Sequence, residues 1–325
     1  MIEVAGLHKT YAGFPAVVDA TFEVEPGEVF GIVGPNGAGK TTTLKMLAGL
    51  VEPTAGTATV AGYDAADPAM RRLLGYLPEE SPLYEDMTPR SYLRFFADLY
   101  GVERGVADER IADSLDRLEL EYRDRRIGDM SKGMKRKVAI TRSLVNDPDV
   151  LLYDEPASGL DPLTTNYVLE FTRDLRDRGK TVVFSAHNLY HVESVCDRVV
   201  IMNEGEIVAR GTVPEIRAEH GETRYYVFTD VPVEGAEPVA GGAADGAEPI
   251  DRWEIDQGTA GESERTNRRF RVVCADMDGV ESVRKRAADA GGSVLDIRTR
   301  ESSLEDVFLE LADRSVDGER AGAAK

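Results

Sequence analysis

Cysteine is nearly missing from this chain: Cys196 and Cys274 are its 2 cysteines, too few for a disulfide framework or a four-cysteine metal knot. Positive charge is also scarce. Lys and Arg number 39 against 59 Asp and Glu, a formal net charge of −20, which disfavours broad contact with nucleic acid. Long apolar runs are missing too. Stretches such as 150–153 and 199–202 fall far short of the ~18 residues that a membrane span needs. The start, Met1-Ile2-Glu3-Val4-Ala5-Gly6, has neither a basic region nor an apolar one, which argues against export. The expectation is a soluble intracellular protein that reaches a membrane only through a partner. Lysine is rarer still, at nine positions, on an acidic, Ala- and Gly-rich background. Such a surface suits concentrated salt, which screens its self-repulsion; a mildly acidic protein from a GC-rich genome is the alternative.

What is present is enough for a sizeable core. With 325 residues, 42% of them hydrophobic, the chain is long enough for one large domain or two. Apolar and polar residues alternate over the first 30 positions, as in strands joined by turns. Val29-Phe30-Gly31-Ile32-Val33 is a short continuous apolar run of the kind a parallel sheet buries on both faces; 150–153 and 181–185 are further buried-strand candidates, followed by 199–202. From about 88 to 146 the period is helical: Tyr92, Phe95, Phe96 and Leu99 recur at i, i+3, i+4 and i+7, as do Ile111, Leu115 and Leu118. That period predicts one buried face. Composition shifts near 221. Strands are expected at 224–228, 269–275 and 293–298, helices at 279–290 and 304–312, and a mobile Gly-, Ala- and acid-rich loop over about 231–264. The predicted fold is α/β with an antiparallel β-subdomain and a helical insertion over 1–220. A small α+β accessory domain follows over 221–314, and a frayed tail over 315–325.

Gly34-Pro35-Asn36-Gly37-Ala38-Gly39-Lys40-Thr41 matches G-x-x-x-x-G-K-[ST] in full, after an apolar strand and before a helix. Its glycines let backbone N–H groups turn onto a nucleotide's phosphates, and the helix start, with Thr42, adds partial positive charge. Lys40 is expected to span the β- and γ-phosphates, and the Thr41 hydroxyl to ligate Mg²⁺. Val150-Leu151-Leu152-Tyr153-Asp154-Glu155 delivers two carboxylates to a strand end. There Asp154 would hold Mg²⁺ through water and Glu155 would act as general base.

Met130-Ser131-Lys132-Gly133-Met134-Lys135-Arg136-Lys137 resembles the signature motif of ATP-binding cassette (ABC) proteins, whose commonest form is L-S-G-G-Q. Other elements of that family fall in order around it. Tyr11 resembles the aromatic residue that stacks on adenine, and Gly75-Tyr76-Leu77-Pro78-Glu79 sits where the family has its Q-loop. Ser158-Gly159-Leu160-Asp161 is similar to the D-loop, and His187 in Ser185-Ala186-His187-Asn188 to the switch histidine. The resemblance covers residues 1 to about 215. It implies two cassettes head-to-tail, each ATP held between one P-loop and the other subunit's Ser131, Lys132, Gly133 and Met134. His187 would then contact the γ-phosphate, and Asp161 would reach across the interface. Arg136 and Lys137, read from the residues alone, belong to a solvated helix face. Glu79 replaces the usual Gln, and can still ligate Mg²⁺; Lys132-Gly133-Met134 replaces Gly-Gly-Gln. Both departures, and Ser302-Ser303-Leu304-Glu305-Asp306-Val307-Phe308-Leu309, look like cassettes that serve ABC-2-type exporters of sodium or drugs. The implied function is the ATP-hydrolysing subunit of a separate membrane permease, with ATP and Mg²⁺ as cofactors and no nucleic-acid partner. A soluble ABC ATPase of translation or DNA repair is the alternative. A single P-loop, and 91 residues without sustained heptads between Lys40 and Ser131, weigh against it.

Overall fold

The computed structural model describes residues 1–221, 223–239, 269–309 and 311. They divide into two compact units: Met1–Glu219, joined by the described residues from Val307 on, and His220–Asp306.

The first unit opens with β1 (Ile2–Tyr11) and β2 (Phe14–Val24), an antiparallel pair, and β3 (Val29–Val33). Helix α1 (Lys40–Leu47) follows, then β4 (Ala55–Val60), β5 (Tyr63–Asp64) and β6 (Leu74–Leu77). Strands β1, β2, β4 and β5 form one antiparallel sheet in the order β2-β1-β4-β5. The second sheet adds β7 (Val150–Tyr153), β8 (Thr181–Ala186), β9 (Arg198–Asn203) and β10 (Glu206–Gly211), in the order β10-β9-β3-β8-β7-β6. It is parallel except where β10 returns against β9. Strands β3, β7 and β8 are buried at every position, so their sequences do not alternate: β3 and β7 are continuously apolar, and β8 is so apart from Thr181 and Ser185. The core joins both sheets to α1, with Phe22 stacked on Phe30 at 5.3 Å between ring centres.

The predicted helical insertion holds α2 (Pro89–Leu99), α3 (Arg104–Arg117) and α4 (Lys132–Arg142). Helix α2 starts where Pro89 follows Thr88, whose Oγ1 accepts from Ser91 N while Ser91 Oγ accepts from Thr88 N. Tyr92, Leu93, Ala97, Ile111 and Leu115 share a core with Ile127, Val138 and Val145. One expectation fails here. Tyr92 is buried, but Phe95 and Leu99 are exposed, because the apolar stripe of α2 is wider than the partner surface supplied by α3 and α4. Helices α5 (Pro162–Asp177), α6 (Leu189–Val195) and α7 (Val213–His220) complete the series.

In the second unit β11 (Thr223–Thr229), β12 (Glu237–Val239), β13 (Arg269–Cys274) and β14 (Val294–Glu301) form an antiparallel sheet ordered β12-β13-β11-β14. Helix α8 (Met277–Asp289) closes its core, with Val280 and Val283 against Val227, Val272 and Cys274. A helical stretch covers 304–309. Strand β12 lies inside the expected loop of 231–264. Three residues containing a proline carry no strand pattern, and the pairing of Glu237 with Arg271, at 2.8 Å, comes from outside the segment. The rest of that loop and the tail at 315–325 lie outside the described residues.

Candidate nucleotide site

Four neighbouring strands end within two residues of one another along one edge, and that gathers residues far apart in sequence. Val33 of β3 pairs with Ala186 of β8, Tyr153 of β7 with Phe184 of β8, and Leu77 of β6 with Tyr153. The segments leaving these strand ends carry Gly34 to Thr42, His187, Asp154 with Glu155, and Pro78 with Glu79. The carboxyl edge of an open parallel sheet is where ligands bind in such folds.

The loop after β3 is built for an anion. Gly34, Gly37 and Gly39 all have positive φ, and two of them also lack room for a side chain. A Cβ on Gly34 would meet the Met202 carbonyl, and one on Gly39 would come within 2.5 Å of the Ala16 carbonyl. Gly39 caps α1 without any side-chain hydrogen bond, so the first N–H groups of the helix, those of Lys40, Thr41 and Thr42, remain open to a ligand. Lys40 is buried. Its ammonium donates to the carbonyls of Gly34 at 2.7 Å and Pro35 at 3.0 Å, and pairs with Glu155 Oε1 at 3.4 Å.

Opposite the loop, Asp154 Oδ1 accepts from Thr41 Oγ1 at 3.1 Å and from Ser185 Oγ at 2.7 Å. Ser185 Oγ in turn accepts from the Glu155 N–H at 2.9 Å. Glu155 is buried and has φ of 47°, a left-handed conformation that costs a non-glycine residue roughly 1–2 kcal/mol. Its Oε2 lies 2.8 Å from His187 Nδ1; because a carboxylate only accepts, that nitrogen is the donor. Its Oε1 has no hydrogen-bond partner, since Lys40 lies near enough to attract but is not aligned to donate. An unpartnered buried carboxylate oxygen fits a donor such as a water molecule, while the open helix start beside it suits an anion. A cleft of about 390 Å³ runs behind Glu155, lined among others by Ser158, Gly159, His187 and His191. Burial and the nearby His187 hold His191 below its ordinary range.

The remaining predicted residues form a second group. Ser131 caps α4, its Oγ accepting from Met134 N at 3.2 Å. Asp161 caps α5, accepting from Thr164 N at 3.0 Å and Thr164 Oγ1 at 2.6 Å. The two helix starts touch: a Cβ on Gly133 would lie 3.0 Å from Thr164, and the Lys132 ammonium sits over Gly159. Among the described residues, no hydrogen bond of Ser131 or Asp161 reaches the P-loop. Tyr11 is exposed at the tip of the β1–β2 hairpin under Lys9, 5.1 Å from its ring centre, and pairs with Phe14, 68% exposed. Since Ala16 of the same hairpin abuts Gly39, this aromatic tip adjoins the P-loop.

Arg136 and Lys137 correct the reading of a solvated face: they are 8% and 7% exposed. The Lys137 ammonium lies 4.5 Å over the Tyr167 ring, and burial lowers its pKa. Arg136 donates to five backbone carbonyls, those of Pro78, Glu79, Asp154, Glu155 and Pro156. Glu79 is itself exposed.

The family model for ABC transporters matches residues 17–158. Over 225 residues the chain is 42% identical to the ABC transporter ATP-binding protein NatA of Bacillus subtilis (strain 168), spanning 68% of this chain and 92% of that protein. The chain belongs to the ABC transporter ATP-binding proteins. It is an ATPase of that family, and ATP is its nucleotide. Over 319 residues, 97% of this chain and 98% of the relative, it is 34% identical to the Nod factor export ATP-binding protein I of Burkholderia pseudomallei (strain 1710b). Among solved structures, the ATP-binding subunit of an ABC transporter aligns with a TM-score of 0.62 at 36% identity, covering 67% of this chain and 92% of that one. A bacterial ABC transporter cassette solved as a dimer aligns with a TM-score of 0.60 at 25% identity, covering 65% and 98%.

Two residues of this ABC site escape the motif reading. Ser185, in the motif reading only a neighbour of His187, joins Asp154 to Glu155, and its one further signal is a hydroxyl near the end of a mostly apolar strand. Phe14 gives the hairpin a second exposed aromatic, three residues after Tyr11, where the resemblance asks for only one.

Proposed function

We propose that this ATPase powers a separate membrane permease of the ABC-2 exporter type, seated on the cytoplasmic face of the membrane through that permease. The observation that carries the proposal is the length of the match. Similarity to an export ATP-binding protein runs through the accessory domain to 97% of the chain, well beyond the part all cassettes share. The relative named for linearmycin resistance in Bacillus subtilis (strain 168), 36% identical over 224 residues, points the same way. No helix among the described residues is long and apolar enough to cross a membrane, so a membrane path would come from the partner.

In this reading ATP lies on the open start of α1, with Tyr11 against the adenine and Lys40 on the phosphates. Mg²⁺ fits the oxygen donors Thr41 and Asp154, with Glu79 at the rim, and no cluster of three His, Cys, Asp or Glu among the described residues could hold a metal unaided. The ion would complete its shell with nucleotide oxygens and neutralise phosphate charge. Glu155 takes the proton of the attacking water, and His187, bonded to it through Nδ1, holds the carboxylate in place. A second cassette adds Ser131 and the Gly133 N–H to the same phosphate, with Asp161 at the seam.

The permease would meet the groove beside α2. Tyr84, 55% exposed, packs edge-on to Tyr92 at 5.6 Å and near Phe95 at 6.0 Å; Leu83 beside it is half-buried against the helical core. The test is co-expression of a Tyr84→Cys chain with the hydrophobic protein encoded beside it. Co-purification and a crosslink from position 84 support the proposal. ATPase activity in a chain that never associates with such a protein favours the non-transport alternative.

A further inference from the structure

Arg136 is a charged group that neither the motif reading nor the mechanism above employs. It lies on α4, five residues past the Ser131 cap, and is 8% exposed. Nε donates to Pro156 O at 2.8 Å, Nη1 to Pro78 O and Glu79 O at 2.9 Å each, and Nη2 to Asp154 O at 3.1 Å and Glu155 O at 2.6 Å. Every acceptor is a main-chain carbonyl, so the guanidinium holds backbone rather than neutralising a partner. Burial pushes its pKa down to about 10, with Asp154 and Glu79 opposing. A group whose only task was to fill space would be apolar and would escape that penalty.

The five carbonyls belong to two segments: the loop that carries Glu79 and the strand end that carries Asp154 and Glu155. Glu155 has the most to gain. Its left-handed backbone, φ 47°, is gripped on both sides, by Ser185 Oγ at its N–H and by Arg136 Nη2 at its carbonyl. Strained conformations persist only where the surroundings over-determine them. A guanidinium can span both segments because its donors lie in a fixed planar fork; an ammonium on a flexible stem concentrates three donors at one point.

We propose that Arg136 is a positioning residue for hydrolysis, locking Glu155 into its reactive orientation and tying it to the Glu79 loop and to the signature helix. Arg136 spends its donors on main-chain carbonyls and acts through the Glu155 backbone. Because α4 also bears the Ser131 cap, movement at the signature is delivered to this chain's own general base. The inference rests on the assignment of Glu155 as that base.

The experiment compares Arg136→Lys and Arg136→Gln with the native chain in steady-state ATP hydrolysis and in amide hydrogen exchange. The expected result is a kcat about 10²-fold lower, the scale of a misplaced reacting group. KM for ATP should be unchanged, with faster exchange confined to 78–80 and 154–157. If Arg136→Gln does not fold, Arg136→Lys decides alone. Native kcat, a KM that rises in step with the lost activity, or faster exchange throughout the chain would each overturn the proposal. Glu155→Gln is the control that separates the two readings. If it hydrolyses ATP like the native chain, the base assignment fails; if it is inactive while Arg136→Lys is native, only the positioning role fails.

Discussion

Helices α1 and α4 each begin at a candidate phosphate contact, yet they begin in opposite ways. At α1 the cap is Gly39, no side chain covers the first N–H groups, and the nearby charges of Lys40, Asp154 and Glu155 are buried. At α4 the chain closes its own helix, with Ser131 Oγ accepting from Met134 N, and α5 does the same with Asp161. An uncapped start leaves several donors pointing at one place, which suits tight binding of a nucleotide by the chain alone. A capped start is stable without a ligand and keeps only a hydroxyl hydrogen and a few outer N–H groups to offer. In the proposed dimer it suits an edge that stands in solvent until a second cassette binds.

The largest expected effect tests whether the open edge carries the chemistry. Glu155→Gln keeps volume and hydrogen bonding but cannot take up a proton, so kcat should fall about 10²–10⁴-fold while ATP still binds. Size-exclusion chromatography with ATP and Mg²⁺ should show a dimer, alongside little phosphate release. Next in size is Lys40→Ala, which removes the ammonium from the same edge. Loss of charge-assisted hydrogen bonds, each about 1.5–3 kcal/mol, should weaken ATP binding about 10- to 100-fold by calorimetry and leave monomers.

Ser131→Asp sharpens the contrast from the capped side. Aspartate caps as well as serine, so the melting temperature and the affinity of the single chain for ATP should hold. The added negative charge, set against a phosphate, should abolish ATP-driven dimerisation in the Glu155→Gln background. A dimer that survives it would remove Ser131 from the phosphate site.

The smallest effect separates the two capped helices. Asp161 is held below its ordinary pKa of 3.8, first by the Thr164 hydroxyl and then by the Thr164 N–H. A carboxylate lowered by folding contributes stability that is complete above 3.8 and is lost as pH falls through the lowered value. Urea midpoints of the native chain should therefore drop more steeply below about pH 4 than those of Asp161→Asn. Ser131 does not titrate, so Ser131→Asn should leave the slope unchanged.

What the residues revealed in advance, and what they hid, follows the same contrast. Strands β3, β7 and β8 were legible because burial on both faces leaves a mostly apolar, non-alternating run. The P-loop was legible because its glycines are demanded by backbone clashes at Gly34 and Gly39 that no other residue escapes. Arg136 and Lys137 were misread because their helix face looks solvated in isolation. Their partners, the carbonyls after β6 and β7 and the ring of Tyr167, are distant in sequence and carry no side-chain signal of the pairing. Phe95 and Leu99 were misread for the converse reason: helical period reports an apolar stripe but not how much of it a neighbour covers. The acidic, lysine-poor composition still awaits its own check. Raising salt from 0.1 to 1 M shortens the screening length from about 10 to about 3 Å, so the melting temperature should rise if the surface is salt-adapted.

Both native thiols are held above their ordinary range, Cys196 by burial with Asp197 and Glu28 nearby, and Cys274 by burial first. Since the thiolate is the reactive form, neither should alkylate readily near neutral pH. The native chain therefore supplies its own silent background for thiol chemistry. A single cysteine at position 84, 131 or 161 can be crosslinked, spin-labelled or footprinted without first engineering the others away, and mass spectrometry of the untouched chain after maleimide is the one control required.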